Sequence, residues 1–212
     1  MHKRTFFSRS VYSTSRVFSR VFGKMFFRLR WQGGENFPTT GGGLVCCNHQ
    51  SYFDPILVGL TCDREMNYLA RKSLFKFGPF RWWIGLFNAI PIDRDGVGLG
   101  GLKETLRRLR KDELVVIYPE GTRTRDGELQ ELKPGFCAVA RRGKQPIFPM
   151  ALDGAYDAWP RDKRLPRLSR IGICVGEPIT VEQMAELSDD ELVRLVSDAI
   201  AACFEQARGL RA

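Results

Sequence analysis

His49 and Asp54 stand five residues apart, directly after an apolar run, in the segment Asn48-His49-Gln50-Ser51-Tyr52-Phe53-Asp54-Pro55. The only other histidine is His2, beside the initiator methionine. Imidazole is the side chain best placed to take and return a proton near neutrality, and a nearby carboxylate can orient it. His49 and Asp54 are therefore a candidate base and its orienting acid. A structural reading competes for Asp54, because an Asp followed by Pro also opens a helix as N-cap and first-turn proline. Two more polar clusters follow strand-like apolar runs: Asp93-Arg94-Asp95 and Glu120-Gly121-Thr122-Arg123. Arg94 and Arg123 offer planar guanidinium groups suited to a phosphate or another oxyanion. Gly121 would let the backbone approach such a ligand. The same residues also read as an ordinary turn leading to Arg125-Asp126-Gly127.

The elements that must position these clusters can be read from periodicity. Leu44 to Cys47, Met66 to Ala70, Ala89 to Ile92, Leu114 to Tyr118, Ile147 to Leu152 and Ile171 to Val175 read as short strands. Helices are expected after Asp54-Pro55, over Leu102 to Arg110, and after Ser188, which with Glu191 forms a capping box. The last helix carries an apolar stripe of Leu192, Leu195, Val196, Ala199, Ile200 and Cys203, with Gly209 as its stop. Strands and helices alternate, so the fold class is α/β. In open α/β sheets, ligands bind outside the carboxyl ends of the strands, where all three polar clusters fall.

The 212 residues fit a single domain. With 43% apolar and 27% charged residues, the composition is that of a globular chain, not a disordered one. The net charge of +9 is concentrated at the N-terminus: eight Lys/Arg and no Asp/Glu fall within residues 1–30. There the apolar residues Phe18, Val21, Phe22, Met25, Phe26 and Leu29 follow helical spacing, with Arg16, Arg20 and Lys24 on the other side. This basic amphipathic helix suits an anionic membrane interface. Two other readings are a stripe docked on the protein's own core and, for residues 1–20, a mitochondrial transit peptide. The expected organisation is an interface arm over residues 1–30 and a domain over 31–212. No stretch reaches the about 20 apolar residues of a membrane span. The six cysteines have neither disulfide-framework nor zinc spacing and read as reduced core residues; no metal or cofactor is expected.

Gly96-Val97-Gly98-Leu99-Gly100-Gly101 satisfies a dinucleotide-binding pattern. Asp93-Arg94-Asp95 separates strand from glycines, however, and Asp95 would face the pyrophosphate, so this reading ranks behind the others.

Taken together, the clusters resemble the 1-acyl-glycerol-3-phosphate acyltransferase (lysophosphatidic acid acyltransferase) family of glycerolipid acyltransferases. The carrying blocks are Asn48-His49-x4-Asp54; Asn88 to Arg94, ending Ile92-Asp93-Arg94; Tyr118-Pro119-Glu120-Gly121-Thr122-Arg123-Thr124; and Ile147-Phe148-Pro149-Met150. In the second block Asn88 replaces the family's glycine and Pro91 its aromatic residue. Lys133 and Gly135 match a Lys-x-Gly step. The resemblance implies a mixed, largely parallel sheet flanked by helices. It implies transfer of a fatty acyl group from acyl-CoA or acyl carrier protein to the hydroxyl of 1-acyl-glycerol 3-phosphate, giving phosphatidic acid. His49 would be the base and Asp54 its orienter. Arg94, Glu120, Gly121, Thr122, Arg123 and Pro149 would bind or shape the acceptor site, with Ser51 and the cysteines dispensable. Trp82, Trp83, Ile84, Leu86 and Phe87 would line an acyl channel or belong to the core. The implied location is peripheral, on the cytoplasmic face of a membrane, with no nucleic-acid partner. Remodelling enzymes, transacylases using a phospholipid donor, and a catalytically silent lipid-binding protein of the same fold are the alternatives.

Overall fold

The computed structural model describes residues 6–71, 89–92 and 99–212. Arg94, the apolar run Trp82 to Phe87 and the first glycines of the Gly96–Gly101 pattern lie outside them. Seven strands form one sheet: β1 (Arg30–Gln32), β2 (Gly43–Cys47), β3 (Met66–Arg71), β4 (Ala89–Ile92), β5 (Leu114–Ile117), β6 (Ile147–Asp153) and β7 (Gly172–Val175). Their spatial order is β1-β7-β6-β2-β5-β3-β4, and all neighbours are parallel except β6 and β7. The sheet is therefore mixed and largely parallel, as the alternation of elements and the family resemblance lead one to expect.

The described helices are α1 (Phe6–Phe27), α2 (Asp54–Gly59), α3 (Leu99–Leu109), α4 (Gly135–Gly143), α5 (Ala155–Ala158), α6 (Val181–Glu186) and α7 (Asp189–Arg211). They cover both faces of the sheet, and the strands read as unbroken apolar runs for that reason. On β2, Leu44 and Cys46 pack with Phe136 of α4 and Leu192, Val196 and Ile200 of α7. Val45 and Cys47 point the other way, towards Leu57 of α2, Ala155 of α5 and Phe27 at the end of α1. The Ser188–Glu191 capping box starts α7, and an unforeseen one, Thr180–Gln183, starts α6. Gly209 does not stop α7, which runs to Arg211. Its packing extends the helix past the glycine, through buried Phe204 and Ala207.

α1 docks in the opposite sense to a helix whose apolar stripe enters the core. Val17, Phe18, Val21, Phe22, Met25 and Phe26 are 42–70% exposed. Its polar side faces the body instead. Arg20 donates to the carbonyls of Leu60 and Cys62 at 2.8 and 3.0 Å and pairs with Asp63 at 2.9 Å. Arg16 reaches the Asp63 carbonyl and carboxylate, and the Lys24 ammonium lies 5.1 Å from the centre of the Trp31 ring. Arg16 and Arg20 are thus ties between helix and body, not charges spread towards an external surface. The helix ends where Arg28 turns left-handed (φ 42°) and the Leu29 N–H bonds back to Gly23. Gly23 leaves room for this return, since a Cβ there would meet Leu29 Cδ2 at 2.9 Å and push that side chain aside. None of the described helices is long and apolar enough to cross a membrane.

Beyond the end of β2, the buried Asn48 side chain imitates a strand residue: its Nδ2 donates to the Leu152 carbonyl and its Oδ1 accepts from the Leu152 N–H, both at 2.9 Å. The pair extends the β2–β6 ladder by one step and fixes the direction in which the next residue, His49, leaves the sheet. Asn48→Ala strands both Leu152 backbone groups in a dry place. We expect it to destabilise the fold by about 2–4 kcal/mol, measured by urea denaturation.

Candidate active site

His49 follows β2 and the Tyr118–Arg123 turn follows β5. These strands are parallel neighbours, so their carboxyl ends emerge side by side. Two hydrogen bonds join the segments directly. The His49 N–H donates to Glu120 Oε2 at 3.2 Å, and the Thr124 N–H donates to the His49 carbonyl at 2.8 Å.

The His49 ring is fixed from two directions. Its Nδ1 lies 2.6 Å from Asp54 Oδ2, and its face stacks on Tyr118, with ring centres 4.0 Å apart and planes within 15°. Tyr118 opens the third sequence block, but no role was expected of it. Its position at the strand's end, one residue before Pro119, was the available signal. Burial pushes the Tyr118 phenol well above its usual range, so it stacks as a neutral ring. With Nδ1 committed to Asp54, Nε2 is the ring nitrogen left for other chemistry, and about 20% of the His49 side chain remains open.

Asp54 is fully buried and does not cap α2. The helix's flanking residue is Phe53, and Asp54 occupies the first helical position ahead of Pro55. Its Oδ2 instead accepts from the N–H groups of Gln50 and Ser51 at 2.7 and 2.8 Å as well as from His49. The carboxylate thus closes a tight loop over residues 49–54 and turns back towards the imidazole, which corrects the capping interpretation. Gln50 pins this loop from below through the Gly127 carbonyl and the Tyr156 N–H. The Ser51 hydroxyl donates to the Trp159 carbonyl at 2.8 Å, a structural engagement.

The predicted binding residues separate into an inner and an outer group. Glu120 is buried and faces inward, its oxygens taken by His49 N–H, Gln130 N–H and Gln130 Nε2. It underpins the histidine loop and does not project into open space. Gly121 and Thr122 are exposed, and Gly121 adopts the left-handed φ of 77° that closes the turn onto the Tyr118 carbonyl. A Cβ at Gly121 would lie 2.9 Å from Lys133 Nζ, so that ammonium sits over the turn. Arg123 lies flat over the Tyr52 ring at 3.6 Å, a cation–π contact beside the histidine loop. Pro149 is not brought to His49. It sits inside β6 opposite Cys46, buried beneath Gly176 and Cys203. A β6 proline is tolerated there because strand pairing does not need its missing N–H, and its role is packing. Arg94 lies outside the described residues.

A base–carboxylate pair with adjacent cationic groups at the carboxyl edge of a parallel sheet defines a class of group-transfer sites. Residues 28–153 match the Acyltransferase family model. The chain is 31% identical over 171 residues to the 1-acyl-sn-glycerol-3-phosphate acyltransferase of Bacillus subtilis, covering 78% of this chain and 81% of that one. It is 29% identical over 189 residues to the enzyme of that name from Cocos nucifera, covering 85% of this chain and 60% of the relative. The crystal structure of the 1-acyl-sn-glycerophosphate (LPA) acyltransferase PlsC from Thermotoga maritima has the same fold, with a TM-score of 0.80 at 24% identity, over 99% of this chain and 82% of that one. The chain belongs to the Acyltransferase family. It is an O-acyltransferase, and no dinucleotide chemistry need be invoked for its glycines.

Burial raises the Glu120 carboxyl from 4.5 to about 7, against the opposing pull of its Gln130 and His49 hydrogen bonds. The folded state therefore holds a proton that the unfolded chain releases at lower pH. This contribution to stability is complete below the unfolded value and is lost as pH rises through about 7. Replacement by a neutral isostere removes it. Thermal unfolding of Glu120→Gln between pH 4.5 and 8 should show a flatter profile than wild type, with the difference bounded by about 3 kcal/mol.

Proposed function

We propose that this chain transfers a fatty acyl group from an acyl thioester to the free hydroxyl of 1-acyl-glycerol 3-phosphate, producing phosphatidic acid for phospholipid synthesis. The observation that carries the proposal is the His49 Nδ1–Asp54 Oδ2 contact of 2.6 Å, which leaves Nε2 as the proton acceptor at the open side of the loop. The acceptor hydroxyl gives its proton to Nε2 as its oxygen attacks the thioester carbonyl. The resulting tetrahedral intermediate collapses, the C–S bond breaks, and the departing sulfur takes the proton back from the imidazolium. Asp54 holds the tautomer and steadies the transient positive charge. No protein nucleophile is needed, which fits the structural engagement of Ser51 and the burial of all six free cysteines.

Arg123 and Lys133 supply positive charge at the outer edge of this loop. Arg123 Nη1 has no hydrogen-bond partner among the described residues. A glycerol phosphate held there would present its hydroxyl towards His49, with Gly121 and Thr122 beneath it. Acyl-CoA and acyl carrier protein both satisfy the donor chemistry. The outward apolar stripe of α1 supports peripheral attachment to the membrane that carries the acceptor. Reduced, buried thiols favour its cytoplasmic face. The ties of Arg16 and Arg20 to residues 60–63 favour a retained arm over a cleaved leader.

Purified protein with acyl-CoA and lysophosphatidate should form phosphatidate. His49→Ala should lower kcat by about a hundred- to ten-thousand-fold, and Asp54→Asn should follow it. Undiminished turnover by His49→Ala would sink the mechanism. Arg123→Ala should raise the KM for lysophosphatidate by about tenfold or more, leaving the KM for donor unchanged.

A further inference from the structure

The segment 160–170, between α5 and β7, is unlike an ordinary solvated loop. It carries Arg161, Lys163, Arg164, Arg167 and Arg170 against one acid, Asp162. Between these charges Leu165 and Leu168 are 77% and 75% exposed. Among the same residues no carboxylate pairs with Arg161, Arg164 or Arg167. Exposed leucines set among unpaired cations are the combination that an apolar layer edged by negative charge would receive.

Its placement narrows what that surface can be. At one end, the Trp159 ring lies 5.0 Å from Phe53 and 5.1 Å from Tyr52, and its Nε1 donates to the Lys163 carbonyl. The Arg167 N–H ties the middle back to the Ala158 carbonyl. At the other end, the Ile171 N–H bonds the Phe27 carbonyl, and Arg30 N–H bonds Ile171 in return. The loop is therefore anchored at the end of α1. A row of ring contacts joins the two: Phe18, Phe22 and Phe26 on the exposed stripe, then Phe27, Phe53 and Trp159. The row ends at Tyr52, under Arg123, on the lip of the histidine site.

We propose that the 160–170 loop is a second membrane-contact element, with Leu165 and Leu168 entering the outer layer of an anionic leaflet and its arginines and lysine meeting the headgroups. The inference rests on the peripheral-membrane reading above and adds to it. A helix lying in an interface makes a line of contact, about which the body can still tilt. A second contact to one side of that line removes the tilt and directs the Tyr52–Arg123 edge at the headgroup layer, where the acceptor resides. Cations suit anionic lipid, and the flanking leucines suit the acyl boundary. An acidic carrier protein would also meet the cations, but the continuity of the loop with the lipid-facing stripe favours the leaflet.

The test uses the full chain. All six native cysteines are buried, so Leu165→Cys can be labelled selectively with an environment-sensitive fluorophore. Vesicles of phosphatidylcholine with phosphatidylglycerol should shift its emission to the blue, and nitroxide-labelled acyl chains should quench it. A second variant, Arg164→Ser/Leu165→Ser/Arg167→Ser/Leu168→Ser, should partition to these vesicles at least about tenfold more weakly. It should lose activity in proportion on vesicle-held acceptor, and keep it on a monomeric short-chain lysophosphatidate. If wild type binds the vesicles while the label does not respond and the quadruple variant binds equally well, the loop proposal is overturned and the membrane reading stands. If wild type itself fails to bind, the membrane reading falls and the loop proposal with it. A label that responds to acyl carrier protein but not to vesicles overturns the proposal in favour of a protein partner.

Discussion

The backbone of His49 is held on both sides by the loop of the neighbouring strand, its N–H by the Glu120 carboxyl and its carbonyl by the Thr124 N–H. That bridge exists because β2 and β5 are parallel neighbours in register from Gly43–Leu114 to Cys46–Ile117. Parallel pairing brings both carboxyl ends out at the same level, whereas an antiparallel pair would send them to opposite edges of the sheet. Once the His49 backbone is fixed, the rest of the site follows from short-range geometry. Asn48, the residue before it, is fastened to β6, Asp54 closes the loop after it, and Tyr118 supports the ring from just beyond β5.

The site therefore has two layers with different physics. Beneath the loop, Glu120, Gln50, Ser51 and Asn48 are buried and satisfied, mostly by backbone groups. Such groups rigidify a site only when every member has its partner, and removing one leaves others unpaired. Above it, Gly121, Thr122 and Lys133 are exposed, and Arg123 lies half-buried over the Tyr52 ring. Substitution below should act on stability and on the placement of His49; substitution above should act on what binds.

The arm inverts the usual economy of an amphipathic helix. Its arginines find carbonyls and a carboxylate on the body, and its phenylalanines are left outside. A free helix with this pattern would cover its apolar face by folding it inward. Here the end of the helix is fixed by Phe27 and Leu29 in the core, so the orientation of the preceding turns is set by that anchor. The same anchor places the basic, leucine-bearing loop beside it.

Much of this was legible in the sequence because it is local. Apolar β-branched runs marked the strands, the Ser188 capping box marked α7, and a five-residue spacing was enough to bring His49 and Asp54 into one loop. β1 and α4 went unread: three residues carry no period, and the pattern Phe136, Cys137, Val139, Ala140 lay between two prominent motifs. What the sequence could not decide was non-local. The choice of strand neighbours placed Glu120 beneath His49 and left Pro149 in the packing under α7. Of the two roles open to Asp54, the histidine partner holds and the helix cap does not, because the cap position falls on Phe53 and the Asp54 carboxylate points back to residues 49–51. Likewise the 3.6-residue period of residues 18–29 specified that one face is apolar, but only the tertiary packing decided that it faces outwards as far as Phe26 and that Leu29 turns into the core. A periodicity records the difference between two faces of a helix, and which of them is covered depends on partners distant in the chain.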